Sequence, residues 1–153
     1  KYDAPQPAVI FDMDGTLADC EHRRHWVSGK KKDFDSFYDE MGNDRKNPVV
    51  AGLCNMYFLH NWHIVICTGR PEAYREITEQ WLKAHGVFYH ELLMRPDERR
   101  HEPDYEVKQD MLSEFKKVRH VMCAFDDRKQ VVDMWRRNGV TCLQVADGNF
   151  NGA

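Results

Sequence analysis

Two pairs of acidic residues carry the chemistry this sequence can do. Asp12 and Asp14 stand two apart in Asp12-Met13-Asp14-Gly15-Thr16, directly after the apolar run Ala8–Phe11. Extended backbone would aim both toward one side. Asp126 and Asp127 close a second apolar run, Val121–Phe125. Four carboxylates brought together would repel one another, and a hard divalent cation relieves that. An all-oxygen ligand set selects magnesium over zinc. Magnesium would also neutralise the oxygens of a phosphate that an acidic pocket otherwise excludes. A carboxylate can itself attack phosphorus, forming an aspartyl-phosphate. A second carboxyl must then protonate the departing alkoxide and later activate water. Asp12 and Asp14 suit those two tasks in that order. Thr68 offers a hydroxyl and neighbouring amides to the transferring oxygens, and Lys108 offers a positive charge.

Such residues need elements that bring them together. Ala8–Phe11, His63–Cys67, Leu92–Met94, Val121–Phe125 and Thr141–Val145 are short, apolar and partly β-branched, and are expected as strands. Between them lie helical spacings. One starts at Asn47-Pro48, an N-cap followed by proline at the first helical position, with Val49, Val50, Leu53, Met56 and Tyr57 as its apolar set. Gly69 is expected to turn the chain and Pro71 to start a helix with Tyr74, Ile77, Trp81 and Leu82 on its stripe, stopped by Gly86. Asp104–Phe115 and Lys129–Asn138 complete the series. Strands alternating with helices imply right-handed crossovers and a mostly parallel sheet, an α/β, Rossmann-like three-layer sandwich. Ligands bind outside the carboxyl ends of such strands. There this reading places Asp12/Asp14, Thr68/Arg70 and Asp126/Asp127.

Residues 19–47 interrupt the pattern. They are rich in His, Arg, Lys and Asp, with Trp26, Phe34, Phe37 and Tyr38 among them. They read as a small cap insertion with one short helix near Phe34–Met41. The segment 1–6 reads as a linker or terminal tail, and residues 7–153 as one domain.

The four clusters resemble the motifs of the haloacid dehalogenase superfamily. Phe11-Asp12-Met13-Asp14-Gly15-Thr16-Leu17 is similar to its first motif, Cys67-Thr68-Gly69-Arg70 to its second, Lys108 to its third and Phe125-Asp126-Asp127 to its fourth. The stretch Asp126–Arg137, followed by Gly139-Val140, Cys142, Gln144-Val145-Ala146, Gly148 and Phe150, resembles the phosphatase domains of T-even phage polynucleotide kinase-phosphatases. That resemblance implies the haloacid dehalogenase fold, a Mg2+ cofactor bound by Asp12, the Asp14 carbonyl, Asp126 and Asp127, and removal of a 3′-phosphate from DNA or RNA ends. It further implies that Arg23, Gly69, Arg70 and Asp104 bind substrate phosphate or orient Lys108. An upstream kinase domain is an implied neighbour in the full-length protein. No G-x-x-x-x-G-K-[ST] occurs, so these residues encode no P-loop kinase. The insertion looks longer than its phage equivalent.

Composition bounds the rest. In 153 residues, charged side chains make up 31% but nearly cancel to −3, which argues against a sequence-independent DNA coat. No apolar run approaches the roughly 18–20 residues that span a bilayer. The five cysteines are widely spaced without C-x-x-C, as expected of reduced thiols in a cytoplasmic protein. Two rival functions stay open. A small-molecule 5′(3′)-nucleotidase would suit a closing cap. A catalytically inactive binding domain should have lost an essential side chain, yet Asp12, Asp14, Thr68, Lys108 and Asp126 are all present. A receiver domain is disfavoured because its acidic pair comes first, whereas here it comes last. His22, His25 and His101 read as surface or cap residues, and Lys30–Lys32 as a solvated loop.

Overall fold

Side chains alternate along β1 (Ala8–Phe11), and that alternation organises the molecule. Val9 and Phe11 enter one core with Ile64, Ile66, Trp81 and Leu82, while Ala8 and Ile10 enter another with Leu112, Val131 and Trp135. A strand buried on both faces carries no polar side, which is why β1 is apolar throughout. The computed structural model describes residues 6–148. The expected linker therefore lies, apart from Gln6, outside the described residues, as does Phe150.

After β1 come β2 (Ala18–Asp19), a 3₁₀ turn over Glu21–Trp26, α1 (Phe34–Asp39) and β3 (Arg45–Lys46). Then follow α2 (Pro48–Leu59), β4 (His63–Pro71), α3 (Arg75–Ala84) and β5 (Glu91–Arg95). The chain continues through α4 (Asp104–Phe115), β6 (Val121–Asp126), α5 (Lys129–Arg137) and β7 (Thr141–Gln144). The main sheet has the order β5-β4-β1-β6-β7, with every pairing parallel. It is the five-stranded parallel sheet expected, with α2 and α3 supplying the core on one face and α4 and α5 on the other.

Three local expectations are corrected. Gly69 and Pro71 do not break the second strand. β4 runs on through Thr68-Gly69-Arg70 to Pro71, which pairs with Arg95 beyond a register shift. Pro71 is followed by a short 3₁₀ turn, and α3 begins only at Arg75. Asn47 stands at the N-cap of α2, but its side chain makes no capping bond. Of the apolar set on α2, Val50 is buried while Val49 and Met56 are exposed. This helix is apolar on nearly every side, so spacing could not choose its buried face.

The insertion is anchored at its base by the antiparallel ribbon β2–β3. It holds a small core of its own, Val27, Phe37, Tyr38 and Met41, against which Trp26, Tyr74 and Ile77 pack. The ring pair Tyr38–Tyr74, 5.0 Å between centroids, fastens α1 to the segment after β4. No helix of the described residues is long and apolar enough to cross a membrane. All five cysteines are free and buried.

Candidate active site

Strand register decides which acids meet. Phe11 pairs with Ile66 on one side and Phe125 on the other, and the Phe11 and Phe125 rings stack 4.6 Å apart. One residue further on, at the carboxyl edge, stand Asp12, Cys67 and Asp126. The Asp12 amide donates to the Phe125 carbonyl at 3.0 Å, keeping the strands together to that edge. Asp12, Asp126 and Asp127 each offer a carboxylate oxygen within 4.8 Å of the others, and all three residues are buried.

Lys108 reaches this cluster from the first turns of α4. Its side chain is fully buried, and its ammonium donates to Asp12 Oδ1 at 2.8 Å and Asp126 Oδ2 at 3.1 Å, with Asp104 Oδ2 3.7 Å away. Burial alone would lower the Lys108 pKa, but Asp104, Asp12 and Asp126 together raise it well above the ordinary value. The i, i+4 pair Asp104–Lys108 thus joins a fully buried ammonium to a largely buried carboxylate and is not a solvated surface pair. Burial, and then the neighbouring Asp126, push the Asp12 carboxyl well up, against the pull of Lys108. Asp127 is raised for the same two leading reasons. Carboxylates that raise one another's pKa inside a protein favour any cation that can join them.

The two C-terminal acids differ in what they already bind. Asp126 accepts from Lys108 and the Trp135 indole N–H through Oδ2, and from the Asp127 and Arg128 amides through Oδ1. Asp127 shares a side-chain hydrogen bond with Asp12, accepts a long bond from the Thr16 hydroxyl, 3.4 Å, and has Arg24 3.8 Å away. That hydroxyl also lies 3.2 Å from Asp12 Oδ2. Gly15 has a φ of +84°, and a Cβ there would overlap the Asp127 carboxylate. The glycine of the first motif is therefore required twice over, by backbone sign and by space.

Asp14 lies in a different setting. Arg23 Nη2 donates to its Oδ1 at 2.5 Å and Arg70 Nη2 at 2.7 Å. Burial would raise the Asp14 carboxyl, but these two guanidiniums hold it far below the usual carboxylate range. Both arginines are fully buried. Arg23 also bonds Asp44 through Nε and Nη2, and its guanidinium lies 4.2 Å from the Phe37 ring centre. Arg70 bonds the Thr78 hydroxyl and approaches Asp44 at 3.3 Å. The resemblance implies that Arg23 and Arg70 bind substrate phosphate or orient Lys108; in the structure their partners are Asp14 and Asp44. Neither lines the cavity described below; they lie beneath Asp14 and fix its carboxylate.

Thr68 and Gly69 do face the cavity, with Asp104 beside them. The Thr68 hydroxyl accepts from the Arg70 amide at 3.1 Å. A Cβ on Gly69 would overlap Asp104, so Gly69 serves close approach, not a turn. Arg95 holds this corner, donating to the Gly69, Arg99 and Glu102 carbonyls and lying 3.4 Å from Asp104 Oδ1.

Sequence reasoning missed four participants. Asp44 joins the two arginines, Thr16 bridges Asp12 and Asp127, Arg95 supports Asp104, and Trp135 donates to Asp126. Thr16 could have been found, because it belongs to the same five-residue motif. Asp44 sits among many exposed charges, and nothing in its local sequence sets it apart.

Asp12, Asp14, Asp104 and Asp127 form the floor of a cavity of about 1140 Å³. Its walls come from the insertion, through Arg24, Trp26, Lys31, Lys32 and Phe34, and from the loop after β5, through Arg100 and His101.

The sequence pattern of the Polynucleotide kinase PNKP phosphatase domain family matches residues 6–150. A protein of Autographa californica nuclear polyhedrosis virus, assigned as a bifunctional polynucleotide kinase/RNA ligase, is 27% identical over 131 residues, covering 84% of this chain and 18% of that protein. A chain in the structure of a Pnkp1/Rnl/Hen1 RNA repair complex is 33% identical with a TM-score of 0.82, covering 97% of this chain and 45% of that one. A class C acid phosphatase from Bacillus anthracis, solved with tungstate bound, shares the fold at 14% identity and a TM-score of 0.64, covering 85% of this chain and 55% of that one. This chain thus spans less than half the length of the first two relatives. The chain belongs to the polynucleotide kinase PNKP phosphatase domain family, and so is a phosphatase of the haloacid dehalogenase type.

Proposed function

We propose that this domain is a magnesium-dependent phosphomonoesterase that works through an aspartyl-phosphate on Asp12 and removes the terminal 3′-phosphate of a polynucleotide. The observation that carries the reading is the Lys108 ammonium, buried between Asp12 and Asp126, directly behind the Asp12 and Asp127 carboxylates that line a wide cavity. Three converging, buried carboxylates fit a hard cation with oxygen ligands. Asp12 and Asp127 would bind it directly, together with the Asp14 carbonyl. Asp126, whose oxygens already accept four donors, would orient its neighbours or act through water. The bound ion would screen the phosphate oxygens from the acidic floor.

Asp12 is the nucleophile. Lys108 holds its Oδ1 and would neutralise charge on the transferring oxygens, while the Thr68 hydroxyl offers a further donor. Asp14 manages the proton. In its arginine cradle it is a carboxylate, ready to take a proton from the water that hydrolyses the aspartyl-phosphate. For the earlier step it must give a proton to the leaving oxygen. An incoming phosphate dianion is a like charge beside Asp14 and works against the arginines, raising its pKa. Arg23, Arg70 and Asp44 thus set the starting protonation state without touching substrate.

The cavity supports a polynucleotide over a lone nucleotide. Small-molecule sites run to roughly 300–1,000 Å³, and about 1140 Å³ exceeds that range. The family membership and the relatives named in RNA repair agree with this choice. Incubating the protein and Asp12→Asn with magnesium and either a 3′-phosphorylated oligonucleotide or a 3′-mononucleotide tests it. Phosphate release from the oligonucleotide, lost in Asp12→Asn, is expected. Cleavage of the mononucleotide with the oligonucleotide untouched would sink the polynucleotide reading in favour of a nucleotidase.

A further inference from the structure

The 3₁₀ turn Glu21–Trp26 holds an aromatic ring on the cavity wall by two buried anchors. Arg23 is fixed by Asp44, Asp14 and the Phe37 carbonyl, and Val27 is buried in the insertion's own core. Between them Trp26 is partly exposed and lines the cavity, its ring 4.7 Å from that of His25. The Trp26 indole N–H is shut from water with no acceptor among the described residues. Lys31 and Lys32 follow on the same wall, both exposed. Arg100 stands opposite, paired with Asp35 of α1 across the mouth.

The floor carries only acids, Asp12, Asp14, Asp104 and Asp127, whereas the wall sets Arg24, Lys31, Lys32 and Arg100 beside Asp33, Asp35 and Glu102. The floor suits a cation and the reacting phosphate. The wall suits what the phosphate is attached to, a chain of further phosphates with flat bases between them. Resting on the polynucleotide reading above, we infer that Trp26 is a stacking platform for a base upstream of the scissile 3′-phosphate, and that Lys31 and Lys32 contact the adjoining backbone phosphates. Base–aromatic stacking and backbone charge contacts do not depend on base identity. The subsite therefore reads strand length and single-strandedness, not sequence. It also gives the Lys30–Lys32 run a role beyond a solvated loop.

The test compares kcat/KM on a 3′-phosphorylated tetranucleotide with that on p-nitrophenyl phosphate, for wild type, Trp26→Ala, the double variant Lys31→Ala/Lys32→Ala, and Lys117→Ala as a distant charge control. Trp26→Ala should lower the ratio on the order of ten-fold, through KM for the tetranucleotide, for all four base compositions. The double lysine variant should flatten the dependence of log KM on log salt by about 1.4, roughly 0.7 for each single-strand phosphate that is no longer neutralised. Lys117→Ala should keep the wild-type slope. A purely structural role for Trp26 would lower both activities together and leave the ratio alone. If wild type prefers the tetranucleotide while Trp26→Ala keeps the wild-type ratio and the lysine variant keeps the slope, the subsite is wrong and the polynucleotide reading survives. If wild type cleaves p-nitrophenyl phosphate but leaves the tetranucleotide untouched, both fall.

Discussion

A buried charge is tolerable only when its partners surround it, and this site contains two such assemblies back to back. In one, the Lys108 ammonium answers Asp12, Asp126 and Asp104. In the other, Arg23 and Arg70 answer Asp14 and Asp44. Removing one member strands the rest, which typically costs about 3–5 kcal/mol in a buried network. Asp44→Asn should therefore destabilise the protein by about that amount, visible as a lower urea midpoint with an unchanged slope. An unfolding curve within about 0.5 kcal/mol of wild type would show that the arginines do not depend on Asp44. Lys108→Met should act in two ways. Turnover should fall by at least about a hundred-fold, the scale of removing one donor from developing charge. Asp12 and Asp126, left facing each other, should make folding depend on added magnesium. Thermal unfolding with and without the ion checks this: the stabilisation by magnesium should be larger in Lys108→Met than in wild type.

The elements that carry these residues are legible to different depths, for physical reasons. β1 can be read to the residue and β6 to within one, because strands buried almost throughout are unbroken apolar runs; β6 continues one residue further, to Asp126. β4 reads too short in the sequence. Gly69 and Pro71 look like breakers locally, yet pairing with β5 and the burial of Arg70 keep the backbone extended. In the lower layer of the site, Arg23 and Arg70 come from the motif resemblance alone, and Asp44, 21 and 26 residues from them and polar, stays hidden. Hydrophobic periodicity has no signal for a buried charge whose partner is remote in the chain. Glycines show the same division. Gly52, exposed in the middle of α2 with nothing within 4 Å of its Cβ position, has no structural duty. Gly52→Ala should stabilise by roughly 0.5–1 kcal/mol. Gly15→Ala meets both a left-handed backbone, at about 1–2 kcal/mol, and the Asp127 carboxylate. It should lose stability and nearly all turnover. Parallel melts and p-nitrophenyl phosphate assays of the two variants would separate them, and equal behaviour would refute the account of Gly15.

Across the whole molecule, the five buried thiols set a limit at high pH. Burial raises all of them from an ordinary value of 9.0, and Cys20, Cys54, Cys67 and Cys142 reach about 12. Tyr38 is pushed in the same direction, to about 12, by burial and by the nearby Asp14. In each case the folded state holds the proton more tightly than the unfolded chain does. Their contribution to stability is therefore complete below pH 9 and drains away as pH rises toward 12, because only the unfolded chain can ionise there. Each such thiol should remove up to about 1.4 kcal/mol of stability per pH unit in that window. Most single domains hold only about 5–15 kcal/mol in reserve, so the thiols together should visibly weaken this one as pH rises above 9. Urea unfolding under reducing conditions between pH 8 and 10.5 measures the slope. Cys54, shifted by burial alone, gives the cleanest control. Cys54→Ala should be less stable than wild type at pH 8 because it leaves a small void, yet should lose stability more slowly as pH climbs. A slope unaltered by removing that thiol would mean the alkaline loss arises elsewhere in the chain.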